Sequence, residues 1–544
     1  MRVVVRATIT NVVSLRSSEI EHLEVVQELG QHTRCHLAFT RDRDTDLAVD
    51  AMLGQDFSVT VESEAGIVEI FTGVVAECTQ NHQLNHGSAF IVEGLSRSYV
   101  MERRRTAYYP SSTISDVVER LGATLTGPAP ATDPLEYVQF GETDFEFLRR
   151  LADENGMFLR TSGTAVEVRG EFEEIGPTIV WGRDLISVTA SCRSANNGVA
   201  GAAHLAQEKR DHRFRAVSKS ASWLPGAASM SAAVERVAKQ RRETEGDALV
   251  EELASRSRSF KAGRAYLEQE SVRALGTAVS IEGVANNPAL RAGDTVTLEE
   301  STAFTLRTRG KLGLTRVTHT FDGQLYSCDF VATPWKHWTN RVRPPREKID
   351  GPTTGTVVDN VDPERMGRLK VRLRWHDAGE STRWLRMTVP YSGNTRGLQF
   401  LPEVGDEVLV AFELGDPERP IIIGALWNGK DRSPVAEKNT AKRIVTRSGN
   451  TIQFLDDDGG RERIELFTAT GKTWVQLANN GGNPLVTIHS EGDLAFEAKN
   501  EIRLTCKTLT ERIGVSPGGP QSPWAPGEVP KMIAEKTTAD ARIR

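Results

Sequence analysis

At 544 residues the chain exceeds what one hydrophobic core supports, since cores stop growing near ~250 residues, and roughly two to five domains are expected. Hydrophobic residues make up 39%, and 67 basic against 73 acidic residues leave a formal charge of only -6, so no global charge asks for nucleic acid or a membrane surface. The five cysteines (Cys35, Cys78, Cys192, Cys328, Cys506) are odd in number, far apart and without a CxxC, which argues against a disulfide framework or a zinc knuckle and for reduced core thiols.

The amino terminus, MRVVVRATITNVVSLRSS, is broken by Arg6 and Asn11 before a secretory apolar segment develops. No later run approaches the ~18 apolar residues of a membrane span, so the chain is expected to carry no signal peptide and to be made and kept in the cytoplasm at first. From residue 1 to about 335 the pattern is mixed, with short alternating strands such as Phe57 to Val61 and Ile67 to Val75 between polar turns. A short helix is expected from Ile114 to Leu121, capped by Thr113 with Asp116 three residues on and stopped by Gly122. In GETDFEFLRRLADENGMFLR, Thr143 and Glu146 form a capping box, Phe147 and Leu151 share one face at i and i+4, and Gly156 ends the helix. Residues 198–263, rich in Ala, Ser, Arg and Glu, read as an insertion or loop with an exposed helix around Ala232 to Ala254.

The charged, proline-bearing segment Thr333 to Gly355 reads as a linker into a new β-domain that runs to about Asn428. Near its end Val408, Val410 and Phe412 alternate with Leu409 and Ala411, which predicts a strand buried on both faces, with Ile421 to Ile423 as its partner. Gly415, Asp416 and Pro417 supply the turn between them: glycine takes the positive φ, and proline sets the direction at the cost of a ladder donor.

After a second hinge from Gly429, apolar pairs recur at Ile452/Phe454, Ile464/Leu466, Val475/Leu477, Val486/Ile488, Leu494/Phe496 and Ile502/Leu504, their first members 12, 11, 11, 8 and 8 residues apart. The last three read in register as VTIHSEGD, LAFEAKNE and IRLTCKTL, with apolar residues at positions one and three. Strands with one narrow apolar face cannot bury it alone, and so few octads make too thin a core for a solenoid. Intertwining with identical chains about a symmetry axis is the remedy, and a homo-oligomeric β-prism is expected. Strand parity turns His489 away from the Val486/Ile488 side and puts Cys506 on the side of Ile502 and Leu504.

Taken together, the chain resembles the valine-glycine repeat (VgrG) spike proteins of type VI secretion systems and the related spikes of contractile phage tails and extracellular injection particles. FGETDFEFLRRLADENGMFLR is similar to their hub signature, and GTVVDNVDPERMGRLKVRLRW, from Gly355 to Trp375, to the opening of their oligonucleotide/oligosaccharide-binding (OB) barrel. LPEVGDEVLVAFELGDPERPIIIGALWN is similar to that barrel's closing strands. The resemblance implies a mainly β fold with some α. It divides the chain into a hub region of β-barrel domains with short helices at 1–335, an OB-fold neck at 336–430, an intertwined trimeric β-helix or prism needle at 440–513 and a Pro/Gly-rich tail at 514–544. It further implies a homotrimeric structural spike that caps an inner tube, pierces a target envelope and is delivered outside the cell or into a target cell. The partners so implied are further copies of itself, the inner tube protein, other baseplate proteins, a conical proline-alanine-alanine-arginine repeat (PAAR) tip protein and effector cargo. The pairs Ile452 to Leu504 would then be the trimer core of the needle. A phage-tail baseplate hub of the same architecture is the neighbouring alternative.

No enzyme, cofactor or metal site is expected. About a dozen residues separate Asn428 from the first needle strand, and the stretch beyond Ile513 is too short to fold alone. Carboxylate groups such as Glu142/Asp144 and Asp456/Asp457/Asp458 suit helix starts and turns, no Ser-His-Asp triad or Lys-Ser/Thr phosphate loop is evident, and Cys506 reads as a core thiol. The rival class, an OB-fold nucleic-acid-binding protein, rests on Arg368, Lys370, Arg372 and Arg374, four cations at period two beside Trp375. A solvated or ion-paired exterior explains the same stripe.

Overall fold

A computed structural model describes residues 3–510 apart from 42–46, 65, 84–85, 128–133, 164, 173–175, 206–209, 218–227, 250–259, 277, 300–309, 335–337, 339–343, 435–438 and 457–461. The chain divides into two units, Met1–Leu426 and Trp427–Arg544. The expected tail at 514–544, Asp457, Asp458 and part of the 198–263 insertion lie outside the described residues.

In the first unit, period-two alternation produces β1 (Val4–Ile9), β2 (Val13–Arg16), β3 (Ile20–Glu28), β4 (Arg34–Arg41), β5 (Asp56–Ser63), β6 (Gly66–Gln83) and β7 (His86–Ser96). A side lobe follows with β8 (Arg104–Ser112), β9 (Thr124–Thr126), β10 (Leu135–Thr143), β11 (Phe158–Ser162) and β12 (Ala165–Arg169), over which lie the helices Ile114–Arg120 and Asp144–Glu154. The chain then runs through β13 (Thr178–Val180), β14 (Leu185–Cys192), the insertion strands β15 (Gly198–Leu205), β16 (Arg210–Val217) and β17 (Ala248–Leu249), and on to β18 (Val279–Ala285), β19 (Thr295–Glu299), β20 (Gly310–Phe321) and β21 (Tyr326–Thr333).

One sheet gathers strands from both ends of this region in the order β14-β18-β21-β20-β3-β4-β7-β6-β5-β1-β2. The joint is the antiparallel pairing of β20 with β3, where Val317 faces Gln27 and Phe321 faces Leu23. One sheet face buries Leu23, Val25, Leu37, Val92, Val317 and Phe330. Gly94 in β7 is required by close approach, since a Cβ there would meet Phe57 at 2.7 Å and Phe71 at 2.9 Å. In the same core the His319 Nδ1 lies 2.7 Å from the Tyr326 hydroxyl and 3.1 Å from Cys328 Sγ. Burial first, and the Arg291 charge second, drive the imidazole down to about 3, so the ring is neutral.

The insertion differs from expectation. Its first helix spans Ala228–Glu245, not Ala232 to Ala254, because Gly246 takes a left-handed φ of 77° and its N–H closes on the Arg242 carbonyl at 3.0 Å. A second helix, Phe260–Gly276, has no apolar stripe to announce it, since its buried face mixes Tyr266 and Leu267 with Ser271 and Arg273. Arg273 binds Asp153 of the helix Asp144–Glu154 bidentately at 2.6 and 2.9 Å, which ties the insertion to the side lobe.

The barrel at the end of this unit has β22 (Thr353–Asp359), β23 (Lys370–Leu373), a short hairpin β24 (Ser392–Gly393) and β25 (Arg396–Gly397), then β26 (Glu407–Phe412) and β27 (Pro420–Leu426), with sheet order β23-β22-β26-β27. Its interior is Val357, Leu369, Val371, Leu373, Leu385, Val408, Val410 and Ile422. β26 corrects the two-faced expectation: Val408 and Val410 are buried, whereas Leu409, Ala411 and Phe412 are half-buried, because a small barrel has only one interior.

The second unit is an antiparallel meander of β28 (Ala441–Val445), β29 (Thr451–Leu455), β30 (Arg463–Phe467), β31 (Thr473–Asn480) and β32 (Asn483–Ser490), in that order. These strands pair within the chain instead of winding as single strands, and β28, ahead of the first expected strand, was not foreseen. The octads at Leu494/Phe496 and Ile502/Leu504 carry no assigned strand, since the repeat leaves no hairpin turn to bring a partner from the same chain.

Candidate assembly site

The twelve expected needle-core residues are brought together only in part. Cross-strand register aligns Ile452, Leu466, Val475 and Ile488 in one row and Phe454, Ile464, Leu477 and Val486 in the next. All stand on one sheet face. Val475 is half-buried, and the other seven range from 37% exposed at Ile452 to 65% at Val486. Leu494, Phe496, Ile502 and Leu504 are exposed as well.

The opposite face buries Thr451, Gln453 and Glu465 together with Ala441, Phe467, Trp474 and Ala478. Glu465, 1% exposed, accepts from Arg463 Nε at 2.9 Å and Gln476 Nε2 at 2.6 Å and is also bonded to Gln453. Trp474 is buried with its ring stacked on His489 at 5.2 Å, so His489 does turn away from the apolar rows. Charged and amide groups in the buried face beneath exposed apolar rows depart from the arrangement of a water-exposed sheet, and a continuous apolar face of this kind marks an interaction surface.

In the side lobe the capping box forms: Glu146 N–H donates to Thr143 Oγ1 at 3.1 Å, and Thr143 N–H donates to Glu146 Oε2 at 2.9 Å. Phe147 and Leu151 are fully buried, and Gly156 follows the helix at φ 69°. Sequence reasoning missed Arg150, which lies three residues after Phe147 on the same buried face. Its guanidinium donates to both Glu142 oxygens at 2.6 and 2.8 Å, to Glu154 at 3.2 Å and to the Val138 carbonyl at 3.0 Å. Burial pulls its pKa down, but Glu154 and Glu142 more than offset this and hold it above the ordinary arginine value. Glu142 and Asp144 are thus structural acids, the latter accepting from Arg105 at 2.7 Å.

The barrel turn does more than reverse the chain. Gly415 has φ 77°, and Asp416 just after it is buried and bound to Arg346 at 2.8 Å. Glu418, one residue past Pro417, pairs with the same arginine at 3.0 Å and accepts the Val138 N–H at 3.2 Å. Tyr108 donates to Glu136 at 2.6 Å and packs against the tilted His376 ring at 4.6 Å, while Phe140 meets Trp375 edge-on at 5.5 Å. Burial first, then the Glu136 charge, push the Tyr108 phenol far up. An acidic turn and an aromatic pair thereby fasten the barrel to β10.

The four-cation stripe is divided, with Arg368 and Lys370 engaged by the fold and Arg372 and Arg374 exposed. Arg368 is buried and forks onto Asp362 at 2.7 and 2.9 Å, which holds that carboxyl well below the usual range. Lys370 sits 5.1 Å over the Trp384 ring, and Arg374 lies 3.4 Å from Glu407. Arg372 is exposed. Among the described residues, the large sheet ends on one side at β14, which pairs with β18 and is bridged to Trp181 only at Leu185, while β6 past Val75 pairs only with β7.

Residues 27–325 match the phage tail baseplate hub (GPD) family, and residues 353–427 match the type VI secretion system/phage-baseplate injector OB domain. The type VI secretion system spike protein VgrG5 of Pseudomonas aeruginosa is 30% identical over 167 residues, 28% of this chain. The chain covers only 21% of that relative's length. Among solved structures, the Escherichia coli c3393 protein, described as a type VI secretion component similar to the T4 tail proteins gp27 and gp5, aligns at TM-score 0.50 and 17% identity over 77% of this chain and 99% of its own. A chain of the half-lidded Francisella PdpA-VgrG complex aligns at TM-score 0.58 and 10% identity over 90% of this chain and 88% of its own. At such identities these two speak for the fold.

Proposed function

The chain belongs to the phage tail baseplate hub (GPD) family, and from that membership we propose that it is the homotrimeric structural spike of a contractile injection machine, acting by mechanics and not by catalysis. The carrying observation is the double apolar row of the needle sheet, left in water by a single copy. Covering it with two further copies removes these side chains from water at on the order of 1 kcal/mol each, before ordering entropy. The octads beyond Ser490, which have no strand partners among the described residues, gain them in the same step.

The free edges of the large sheet support the other end of the reading. An uncovered edge recruits another strand, and edges at both ends allow copies to close a ring that continues an inner tube. The barrel forms the neck, a PAAR protein sharpens the tip, effector cargo travels with the spike, and delivery ends outside the cell or in the target. The buried Arg368, forked onto Asp362, and Lys370 over the Trp384 ring speak against the nucleic-acid reading of the barrel.

The test is the native mass of the full chain, with Ile464→Asp/Leu477→Asp beside it. The expected mass is three times 59.8 kDa, falling to one copy in the variant. A wild-type monomer at micromolar concentration overturns the reading.

A further inference from the structure

Residues 391–400 are exposed without a break, yet they have a defined fold of their own. Leu398 N–H donates to the Tyr391 carbonyl at 2.9 Å, Ser392 faces Gly397, and Thr395 takes φ 54° at the tip. This hairpin carries Tyr391, Leu398 and Phe400, 53%, 46% and 57% exposed, between Pro390 and Pro402. Three large apolar side chains on a preorganised projection are a docking element: the ordering cost is met before binding, and the anchors are of the kind that dominate interface energetics.

Its root specifies the occupant. Thr388 N–H donates to the Ile422 carbonyl at 2.9 Å and Thr388 Oγ1 to the Ile423 carbonyl at 3.1 Å, so the hairpin is fixed to β27. β27 ends at Leu426, and β28 begins at Ala441. Copies that share a needle therefore carry their barrels on tethers of at most about 50 Å. The barrel also presents an apolar rim. Val404 is 60% exposed and Val361 is 77% exposed, on segments joined by Asn360 Nδ2 donating to the Pro402 carbonyl at 3.1 Å.

We propose that the β24–β25 hairpin is an inter-copy clasp, its Tyr391, Leu398 and Phe400 seating on the Val361/Val404 rim of a neighbouring copy's barrel. This rests on the homotrimeric reading and adds to it a contact independent of the needle. In a ring of three, each barrel gives one hairpin and receives one, so the contact closes.

The experiment places a photo-crosslinking amino acid at Tyr391 or Phe400 in the full chain, assembles isotopically heavy and light copies together, and maps the crosslinks by mass spectrometry beside native mass. Heavy–light crosslinks into residues 353–427 are expected. Crosslinks confined to one copy, or reaching only a foreign protein, from a trimeric preparation overturn the clasp and leave the homotrimer standing; a monomer overturns both. Independently, Tyr391→Ser/Leu398→Ser/Phe400→Ser should raise the concentration of half-dissociation at least about tenfold with unchanged circular dichroism. An unchanged midpoint overturns the clasp.

Discussion

Arg150 shows how one residue can hold a region together without marking itself in the sequence. Its charge is surrounded by Glu142, Glu154 and the Val138 carbonyl, and both Arg150 and Glu142 are buried. Arg150→Met strands a buried carboxylate and should cost about 3–5 kcal/mol, whereas Arg150→Met/Glu142→Leu should recover much of that loss; denaturant melts read both. His319 sets a pH dependence. Its folded pKa of about 3 lies below the unfolded 6.5, so the unfolded state binds the extra proton, and the contribution is whole above 6.5. It is lost as pH falls from there towards 3, at about 1.4 kcal/mol per pH unit. The Asp362 carboxyl, also depressed, acts only below its unfolded value of 3.8, so the window from 6 to 4.5 belongs to His319 of the two. The stability difference between wild type and His319→Phe should change across that window. A constant difference would sink the neutral-imidazole assignment.

Among the elements, the helix Asp144–Glu154 depends on its cap and the barrel on its turn. Thr143→Ala removes the acceptor for the Glu146 N–H and should cost about 1 kcal/mol. Gly415→Ala places a Cβ at φ 77° and 3.1 Å from the Lys348 Cβ, a cost of about 1–2 kcal/mol. Thermal unfolding followed by circular dichroism checks both, and a neutral Gly415→Ala would refute the left-handed turn. The capping box and the turn glycine were legible in advance because both are local chemistry. The second insertion helix was not, because its buried positions include Ser271 and Arg273, whose partners lie far away in sequence.

In the whole molecule, Arg346 of the linker pairs with Asp416 and Glu418 of the barrel, and Glu418 in turn accepts the Val138 N–H of β10 in the hub. Arg346→Ala removes one cation that holds the linker to two buried acids, and limited proteolysis should cut the 344–352 linker at least about tenfold faster, with the rest of the hub intact. An unchanged cleavage rate would place the strength of the joint in the aromatic pairs instead. The cationic stripe carries the same lesson. Period two correctly put Arg368 to Arg374 near one another, but whether such charges meet solvent, an acid or a ring depends on loops that return from elsewhere, as Asp362 and Trp384 do.

The sequence by itself determined the mainly β architecture, the short helices with their caps, the barrel hairpin and the apolar parity of the second-unit strands β29 to β32, since alternation, capping and turn chemistry act within a few residues. The tertiary structure alone decided which of those apolar faces stay uncovered. It also decided that the buried side of the second-unit sheet holds a polar network around Glu465, that β26 buries one face, and that Asp416 and Glu418 of the barrel turn bind the linker and β10. These depend on pairing across tens to hundreds of residues, where burial is a property of the packed neighbours and not of the strand that is packed.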